Sequence, residues 1–432
     1  MKKFEGKTFL MLGTSILAVD AVKYARENGA YTIVTDNLPV ERSEAKRFAD
    51  EILNVSTAET ETLIAFCRER RVDGVFAGVS EFNLLQAQKI SEALGLRFYF
   101  NREQWDRIEK KDQFKALCEA NGVNVPKAFF VGTRADFDSF DPAGITFPVI
   151  VKPVDGCSSI GISICADRKE LERAVKAAFE ASGSGRALIE EYIDGHEFAV
   201  HYTICNGKAA LASVDNRYSL AMHEGNVTTI PMGRVFPSYF KKLFLEKANQ
   251  GLLSLCESIG LKVGIIFVQG MFDEKKQVFY AFEAGLRSAG EAPCRFLEKL
   301  TGQNQFYMLI DYILLGKTDY DLSREDPMLE GHCCALIAFG TPGGTVARID
   351  GFEEALARHP EIVRYERRYS VGDTIPVGDT LKQIFLRFVI ICRDRDDLAR
   401  IIRDLNEELH AIDTEGQEML RSLDPERIYR LS

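Results

Sequence analysis

The chain has 432 residues, of which 46% are hydrophobic and 27% are charged, and its formal net charge at pH 7 is -10. This length suffices for two or three domains with substantial cores, and the composition excludes an intrinsically disordered protein. The acidic balance argues against binding to nucleic acids or anionic membranes, because both depend on clustered basic side chains. Any phosphate group that the protein binds is therefore expected to lie in a local site.

The ten cysteines are scattered without a C-x-x-C motif, so the sequence predicts neither a zinc site nor a disulfide framework. Reduced thiols and a cytoplasmic location are expected. The apolar segment 8–19 is interrupted by Gly13, Thr14 and Ser15, and no later stretch approaches the roughly 20 apolar residues that cross a bilayer. We interpret this segment as a strand, a tight turn and the start of a helix, not as a signal peptide.

Residues 8–100 alternate short apolar strands with amphipathic helices, a pattern typical of a parallel sheet covered on both faces. We predict strands at 9–12, 31–35 and 74–77 and helices at 18–28, 59–70 and 84–94. Polar residues follow two of these strands, at the sheet edge where open α/β sheets collect their ligands. The candidate substrate ligands at this edge are Thr14, Ser15, Ser80 and Glu81.

The segment 147–161, FPVIVKPVDGCSSIG, predicts a short β-branched strand that ends at Lys152 and Pro153 and leads into a loop rich in glycine and serine. The backbone N–H groups of such a loop can surround an oligophosphate, with the lysine ammonium beside it. A Gly/Ser-rich hairpin turn without a ligand is the alternative interpretation. The candidate phosphate-binding residues of the loop are Gly156, Ser158, Ser159 and Gly161.

The remaining pattern predicts helices, hairpins and a change of character near residue 331. Helices are expected at 112–121, 169–181, 241–259, 352–359 and 396–410. Strands are expected at 197–205 and 209–214, joined by an Asn-Gly turn, and at 263–272, 277–283 and 386–392. The predicted domains are residues 1–105, 106–330 and a smaller third domain at 331–432.

Several features follow one another in an informative order. Lys111 starts a helix and Lys152 ends a strand, the motif E-E-Y-I-x-x-x-E follows at 190–197, and Gln269, Glu283 and Arg287 close the series. Together they resemble the ATP-grasp superfamily, and the first and central parts look most like its carbamoyl-phosphate-synthetase branch. The resemblance implies an α/β and α+β fold: an N-terminal parallel α/β domain, an ATP-grasp core of two antiparallel sheets with a mobile lid at about 125–190, and a small C-terminal α+β domain.

The resemblance also implies how ATP would be held between the two antiparallel sheets. Lys111 and Lys152 look like the two lysines on the phosphate and adenine sides, with the Gly/Ser loop covering the phosphates. Glu190 resembles the residue near the adenine amino group, while Glu191 and Ile193 resemble the hinge whose backbone pairs with the adenine edge. An apolar slot with one backbone donor and one acceptor suits adenine.

Glu197 resembles the acceptor of the ribose hydroxyl groups. Gln269 and Glu283, on two neighbouring predicted strands, resemble the ligands of Mg²⁺, with Mn²⁺ as an alternative cation. Glu283 is followed by A-G-L-R where the family usually has x-N-P-R, so Gly285 replaces an expected asparagine ligand. Either water or substrate fills that position, or the metal site is weakened. The guanidinium of Arg287 suits a γ-phosphate or a substrate carboxylate.

The function implied is ATP-dependent ligation of a carboxylate to an amine through an acylphosphate, on an amino acid or a small carboxylic acid. Lys152, Arg217 and Arg287 are the candidate catalytic residues. Arg234 and Ser238, in a predicted loop at 231–239, are further candidate substrate ligands. The expected partners are small carboxylate and amine substrates, and the resemblance leaves a homodimer open.

Each of these polar residues, taken singly, is more often part of a solvated face or a satisfied core, and only their joint order favours the functional interpretation. A purine-biosynthesis-type ligase or carboxylase of the same superfamily is the alternative enzyme. A nucleotide-binding protein with weakened catalysis is a second alternative, because Gly285 stands at a metal position. A subunit that depends on a partner chain is a third.

Overall fold

The first part of the chain forms a parallel sheet between helices. The computed structural model describes residues 2–14, 17–155, 161–220, 230–290, 292–378 and 380–429. The elements of this part are β1 (Thr8–Leu12), α1 (Ala18–Glu27), β2 (Tyr31–Thr35), β3 (Glu51–Leu53), α2 (Thr60–Arg70), β4 (Gly74–Ala77) and α3 (Glu81–Ala93). The sheet has the order β3-β2-β1-β4 with parallel pairings, which confirms the predicted parallel α/β arrangement.

A small antiparallel sheet follows two short helices. The elements are α4 (Arg102–Glu109), α5 (Lys111–Ala120), β5 (Ala128–Thr133), α6 (Arg134–Asp138), β6 (Val149–Pro153), β7 (Ser163–Cys165), α7 (Arg168–Ala181) and β8 (Arg186–Glu191). The strand order is β5-β8-β6-β7, and α7 buries its apolar side against Val149 and Val151 of β6. This sheet occupies the segment that was predicted as the lid, and Lys152 lies on its strand β6.

The central and C-terminal parts share one large sheet. The central elements are β9 (His196–Cys205), β10 (Lys208–Leu220), β11 (Ile230–Phe236), α8 (Lys241–Lys247), α9 (Asn249–Ser258), β12 (Val263–Asp273), β13 (Val278–Gly285), α10 (Cys294–Thr301) and α11 (Gln305–Leu315). The C-terminal elements are β14 (Cys333–Gly340), β15 (Gly344–Asp350), α12 (Phe352–Arg358), β16 (Ile362–Arg367), β17 (Thr374–Ile375), β18 (Ile384–Cys392), α13 (Arg395–Glu408) and β19 (His410–Asp413).

The large sheet has eight strands in the order β13-β12-β9-β10-β11-β14-β18-β16, with antiparallel pairings, and it continues past residue 331. A separate three-stranded sheet, β17-β15-β19, lies in the C-terminal part. One extensive core joins the first domain to the large sheet, and Phe76 of β4 packs edge-on against Phe306 of α11 with ring centroids 5.6 Å apart. Within the described residues, no helix combines the length and hydrophobicity that a bilayer crossing requires.

Strand β11 corrects the predicted loop at 231–239. Its seven residues are all buried, and it pairs with β10 and β14 in the middle of the sheet. Pro231 and Pro237 suggested a loop, but Pro231 sits beside an irregularity in the β10 ladder, a position that tolerates a missing N–H donor. The predicted helix 241–259 is likewise two helices, because Ala248 has a non-helical backbone.

The register of the large sheet places chemically important residues on one face. Residues directly opposite each other on neighbouring antiparallel strands point to the same side. Glu283 lies opposite Gln269, Gln269 opposite Ala199, and Ala199 opposite Asp215. Arg217, two residues after Asp215, shares that side, and we call this side of the sheet the polar face. It brings together residues from four strands that are far apart in sequence.

Candidate active site

Gln269 and Glu283 lie side by side on the polar face. They are directly opposite each other in the β12–β13 pair, where Cβ atoms are about 4.5–5.5 Å apart. Strand β13 carries one extra residue, Phe282, between this pair and the next. A carboxylate and an amide oxygen can therefore reach one cation. Among the described residues, no group of three or more His, Cys, Asp or Glu side chains is arranged to hold a metal ion by itself.

Arg287 is surrounded by carboxylates from three elements. Its guanidinium forms an ion pair with Glu81 at the start of α3, while Glu109 at the end of α4 and Glu283 on β13 add negative charge nearby. Burial by itself would lower the pKa of Arg287, but these carboxylates outweigh burial and raise the pKa above its ordinary value. Glu81 was predicted as a substrate ligand, and in the structure its carboxylate forms an ion pair with Arg287.

Glu109 faces the position where the family usually carries an asparagine. Its Oε1 is enclosed and has no hydrogen-bond partner within the described part of the chain. This atom would lie 3.2 Å from a Cβ placed on Gly285. Burial raises the pKa of Glu109 to about 8, Glu81 adds to the rise, and Arg287 opposes it. Glu109 is therefore protonated at neutral pH in this arrangement.

Protonation of Glu109 makes a prediction for stability. The ordinary pKa of the carboxyl is 4.5 and the folded value is about 8. Between pH 4.5 and pH 8 the folded chain keeps the proton on Glu109 while the unfolded chain has lost it. The stability that this proton contributes is therefore complete below pH 4.5 and is lost as the pH rises through about 8. Each pKa unit corresponds to about 1.4 kcal/mol. With EDTA present, we expect Glu109→Gln to show a smaller fall in Tm between about pH 6 and pH 9 than the wild type. Equal falls would contradict the assignment.

The space beside Gly285 is already filled by an aromatic ring. A Cβ on Gly285 would lie 2.5 Å from Cε1 of Phe267, its partner on β12, and the guanidinium of Arg287 lies over the same ring at 4.8 Å from the centroid. We therefore expect Gly285→Asn to lower stability by about 1–3 kcal/mol instead of restoring a metal ligand. Gly290→Asn is the matched control, because a Cβ there meets nothing within 4 Å. Equal Tm values for the two variants would refute this reasoning.

Glu190 is buried between two lysines from different elements. Its Oε2 lies 2.5 Å from Nζ of Lys152, and its Oε1 contacts Nζ of Lys115 on α5. Burial alone would raise the pKa of Glu190, but Lys152 and Lys115 outweigh it and lower the pKa below its ordinary value. Two ammonium groups around one carboxylate leave one positive charge in excess. We call these three residues the lysine cluster.

The lysine cluster meets the large sheet next to Glu283. Nζ of Lys152 lies 5.6 Å from the ring centroid of Phe282, the residue that precedes Glu283. The small sheet of β5–β8 and the polar face thus approach each other at this point. Lys152 thus lies near the residue that precedes Glu283, 131 positions away in the sequence, and the joint role of Lys152 and Glu283 stays a prediction.

Glu197 and Arg217 form an ion pair on strands β9 and β10. Nη1 of Arg217 donates to Oε2 of Glu197 at 2.8 Å, and Oγ of Ser219 donates to the same oxygen at 3.3 Å. Both side chains of the ion pair keep part of their surface exposed. The predicted roles of Glu197 toward ribose and of Arg217 toward the transferred phosphate stay predictions, and the contact shows that the two positions are neighbours.

The other predicted nucleotide residues lie around the small sheet. Lys111 is buried at the first residue of α5, Ile193 is buried after β8, and Oε1 of Glu191 accepts the backbone N–H of Lys127 at 2.9 Å. Gly161 has φ +74°, and a Cβ there would lie 2.6 Å from the Cβ of Ala181. The predicted residues that lie outside the described part of the chain are Ser15, Gly156, Ser158 and Ser159.

The predicted substrate ligands divide between two places. Thr14 follows β1, and Ser80 caps α3 by accepting a backbone N–H at 3.4 Å, so both lie at the expected edge of the parallel sheet. Ser238 is buried, and its Oγ accepts a backbone N–H at 3.2 Å. Arg234 lies on strand β11, not in a loop, and is 1% exposed. Their roles toward a substrate stay predictions.

A buried cluster of charged and polar side chains around Asp215 lies on the polar face, and the sequence analysis did not identify it. Asp215 accepts Nη1 of Arg234 at 3.0 and 3.2 Å and lies 2.9 Å from Nε2 of His201. All three side chains are at most 1% exposed. Asp215 stands two residues before Arg217, and that period-two spacing is the signal that could have placed it on the same face. Lys115, one helical turn after Lys111, offered a similar signal for the lysine cluster.

The sequence is similar to a known domain family and to longer proteins. Residues 145–292 match the family model of the ATP-grasp domain. The carbamoyl phosphate synthase large chain of Clostridium beijerinckii is 24% identical over 371 residues, which cover 85% of this chain and 32% of that relative. This chain therefore spans only about a third of the relative's length.

Two solved structures share the fold over nearly the whole chain. L-amino acid ligase from Bacillus licheniformis has a TM-score of 0.76 and 20% identity, covering 95% of this chain and 99% of that one. The biotin carboxylase domain of 2-oxoglutarate carboxylase from Hydrogenobacter thermophilus, solved with MgADP, has a TM-score of 0.74 and 17% identity, covering 98% and 93%. The family model therefore identifies an ATP-grasp domain at residues 145–292, and the two solved structures share the fold of the chain.

Proposed function

We propose that the protein is an ATP-dependent ligase that joins a carboxylate to an amine through an acylphosphate, acting on an amino acid or a small carboxylic acid. The observation that carries this proposal is the contact of Lys152, a member of the lysine cluster, with Phe282, the residue before Glu283 on β13. Glu283 in turn lies opposite Gln269, and positive charge near a pair of residues that suits a divalent cation supports binding of the phosphate tail of ATP.

Gln269 and Glu283 suit Mg²⁺, because Mg²⁺ does not need all of its ligands from the protein. Mg²⁺ usually takes one or two carboxylates and completes its octahedron with waters and substrate phosphates. Glu109 lies nearby with an Oε1 that has no hydrogen-bond partner among the described residues, but it is protonated in this arrangement and would have to lose its proton before it could bind a cation. Gln269 and Glu283 would hold Mg²⁺ or Mn²⁺, which would neutralise charge on the nucleotide phosphates.

Lys152 and Lys115 would hold the nucleotide phosphates by charge, and Lys111 lies on the same helix as Lys115. The lysine cluster is nearly closed to water, so its charge acts through a medium that screens weakly. Binding of a phosphate would offset the one positive charge that Glu190 leaves uncompensated. These residues act by positioning and neutralisation, the main contributions a protein makes to phosphoryl transfer.

The reaction is two successive displacements. A substrate carboxylate oxygen attacks the γ-phosphorus, the bond to the β–γ bridging oxygen breaks, and ADP leaves. The amine nitrogen then attacks the acyl carbon, the carbon–oxygen bond to phosphate breaks, and the amine loses a proton. We assign Arg287 to the substrate carboxylate and Arg217 to the transferred phosphoryl group. A guanidinium group can form paired hydrogen bonds with either anion.

The comparisons support this proposal without fixing the substrate. Phosphoribosylglycinamide synthetase from Anaerococcus prevotii shares the fold with a TM-score of 0.73, close to the 0.76 of L-amino acid ligase, so the fold fits both amino-acid ligation and the purine-type alternative. The biotin carboxylase domain carries MgADP on the same fold, which supports the nucleotide and the cation. Because the chain spans about a third of the carbamoyl phosphate synthase relative, the activity of that whole protein is not carried over.

A screen for ADP release tests the proposal. The full chain is assayed with ATP and Mg²⁺ against single amino acids, amino-acid pairs and small carboxylates, with hydroxylamine as a general amine. We expect ADP release that needs a carboxylate, and hydroxamate in the hydroxylamine samples. Glu283→Ala should lose at least about 10²-fold in rate. Nucleotide binding without turnover for every substrate would favour the binding-protein alternative.

A further inference from the structure

Two cysteines face each other at one end of the large sheet. Cys333 is the first residue of β14 and Cys392 is the last residue of β18, and the two residues lie directly opposite each other in the antiparallel pair. Opposite residues point to the same side of a sheet, so both thiols lie on one face. We call these two residues the cysteine pair.

The register brings the cysteine pair into the range that a disulfide needs. Cα atoms of opposite residues in an antiparallel pair are about 4.5 or about 5.5 Å apart, and a disulfide joins Cα atoms that are about 4.4–6.8 Å apart. Sγ of Cys392 donates to the backbone oxygen of Cys333 at 3.2 Å, and the same thiol lies within hydrogen-bonding reach of the Cys333 sulfur. A bond between the two sulfurs therefore needs no large movement of the strands.

Positive charge lies beside the cysteine pair. The hydrogen bond from the Cys392 thiol lowers the pKa of Cys333, and Arg395 on α13 and Lys241 on α8 add to this lowering, while burial and Asp394 oppose it. The same hydrogen bond, together with burial, raises the pKa of Cys392. Both terminal nitrogens of Arg395 donate to backbone oxygens, at 2.9 and 2.8 Å, which holds the guanidinium in place. Cys333 is thus the thiol that loses its proton first.

The cysteine pair lies one residue below the protein surface. The side chains of Cys333 and Cys392 are 3% and 5% exposed, whereas His332 and Arg393, which flank them in sequence, are exposed. The ends of elements open locally at a lower free energy than the centre of a sheet. A small uncharged oxidant can therefore reach these thiols without unfolding the chain.

Among the described cysteines, Cys333 is the one whose pKa is lowered. Cys334 follows it directly but lies opposite Ile391, so it points to the other side of the sheet, and burial raises its pKa. Cys118 on α5 and Cys256 on α9 lie near each other, but burial raises the pKa of both. A thiolate that is poised next to a second thiol is thus confined to the cysteine pair within the described part of the chain.

We propose that the cysteine pair is a site of reversible oxidation, at which a hydroperoxide such as hydrogen peroxide links Cys333 to Cys392 through a disulfide. The Cys333 thiolate attacks one peroxide oxygen, the oxygen–oxygen bond breaks, and the leaving hydroxide takes up a proton to form water. The sulfur of Cys392 then attacks the sulfur of the Cys333 sulfenic acid, the sulfur–oxygen bond breaks, and a second water leaves with the proton of Cys392. The peroxide gains the two electrons that the two thiols lose.

The disulfide would close a loop of residues 333–392 and tie β14 to β18 at the end of the large sheet. A disulfide stabilises a protein mainly by constraining its unfolded chain. The oxidised form should therefore be more resistant to unfolding than the reduced form. This inference does not depend on the proposed ligase function.

Peptide mapping of the full chain tests the inference. The folded protein is treated with a small molar excess of hydrogen peroxide, free thiols are alkylated, and linked peptides are identified by mass spectrometry with and without dithiothreitol. We expect one reducible link in the wild type and in Cys334→Ala, which is the matched control, and no link in Cys333→Ala or Cys392→Ala. The oxidised wild type should show a Tm at least about 2 °C above that of the reduced protein, and oxidised Cys392→Ala should show no such rise.

Oxidation in concentrated urea provides a further control, because the ten cysteines of an unfolded chain should pair without this preference. The inference is overturned if the folded wild type forms no link, or if its link joins other cysteines such as Cys118 and Cys256. It is also overturned if the link persists in Cys333→Ala or forms equally well in urea. Because the wild type and Cys334→Ala give the positive result, the test does not depend on the folding of the two variants that lack a member of the cysteine pair.

Discussion

Lys152→Met is expected to reduce ADP release by at least about 10²-fold while the chain stays folded. The reason is the charge count of the lysine cluster. Removing Lys152 leaves Lys115 paired with Glu190, a neutral buried pair, and methionine keeps the length of the apolar stem. The lost ammonium is the one that lies next to Phe282 and Glu283. Steady-state ADP release and the urea unfolding midpoint, measured on the same preparation, give the two quantities.

Glu190→Gln should lower the stability of the fold, unlike Lys152→Met. It leaves two buried ammonium groups without the carboxylate that lies between them, so we expect a loss of about 3–5 kcal/mol in the free energy of unfolding. Glu180→Gln is the matched control, because Glu180 forms an exposed pair with Lys176 and its loss should be within about 1 kcal/mol. If Glu190→Gln is as stable as Glu180→Gln, the lysine cluster does not exist as described.

Local pattern was enough to predict three of the four strands of the parallel sheet of the first domain, and it missed the short edge strand β3. Strands β1, β2 and β4 lie where short apolar runs alternate with helices, and each predicted helix begins within three residues of the observed one. Strand β11 was missed because the two prolines that border it dominate any local interpretation, whereas its burial comes from pairing with β10 and β14. A central strand of this kind is defined by its neighbours in space.

Some features of the candidate site could likewise be predicted from the sequence, and others could not. The order of motifs predicted Lys152, Gln269 and Glu283 as site residues; in the structure Gln269 lies opposite Glu283, and Lys152 lies near Phe282, the residue before Glu283. Contacts between distant segments could not be predicted, because no periodicity links them. Asp20 on α1 and Arg364 on β16 are 344 positions apart, and their ion pair exists because the fold brings these two elements together.

Gly285 illustrates why a motif alone misjudges a substitution. At the level of sequence it is a missing asparagine ligand, and restoring asparagine is the obvious experiment. In the structure Phe267 and Glu109 occupy the space that the asparagine would need. Gly285, Phe267 and Glu109 therefore fit together, and the protonated carboxyl group of Glu109 lies near the place that an asparagine side chain would take.

Asp215→Asn is expected to destabilise the protein by about 3–5 kcal/mol. Asp215 is fully buried, and both of its oxygens accept Nη1 of Arg234 while one lies 2.9 Å from His201. An amide keeps the shape but removes the negative charge in a place where water cannot replace it. Because Asp215 stands between Gln269 and Arg234 on the polar face and accepts from Arg234, its loss should also weaken the alignment of Arg234.

The matched control for this prediction is Asp138→Asn. Asp138 also pairs with an arginine, at 3.0 Å, but both side chains are 61% exposed, so water screens the pair and replaces it at little cost. We expect a change within about 1 kcal/mol for Asp138→Asn in urea unfolding followed by circular dichroism. A second variant, Asp215→Leu with Arg234→Met, should recover part of the stability, because a buried ion pair replaced as a unit leaves no uncompensated charge. If Asp215→Asn and Asp138→Asn shift the unfolding midpoint equally, the buried charge at Asp215 does not organise the polar face.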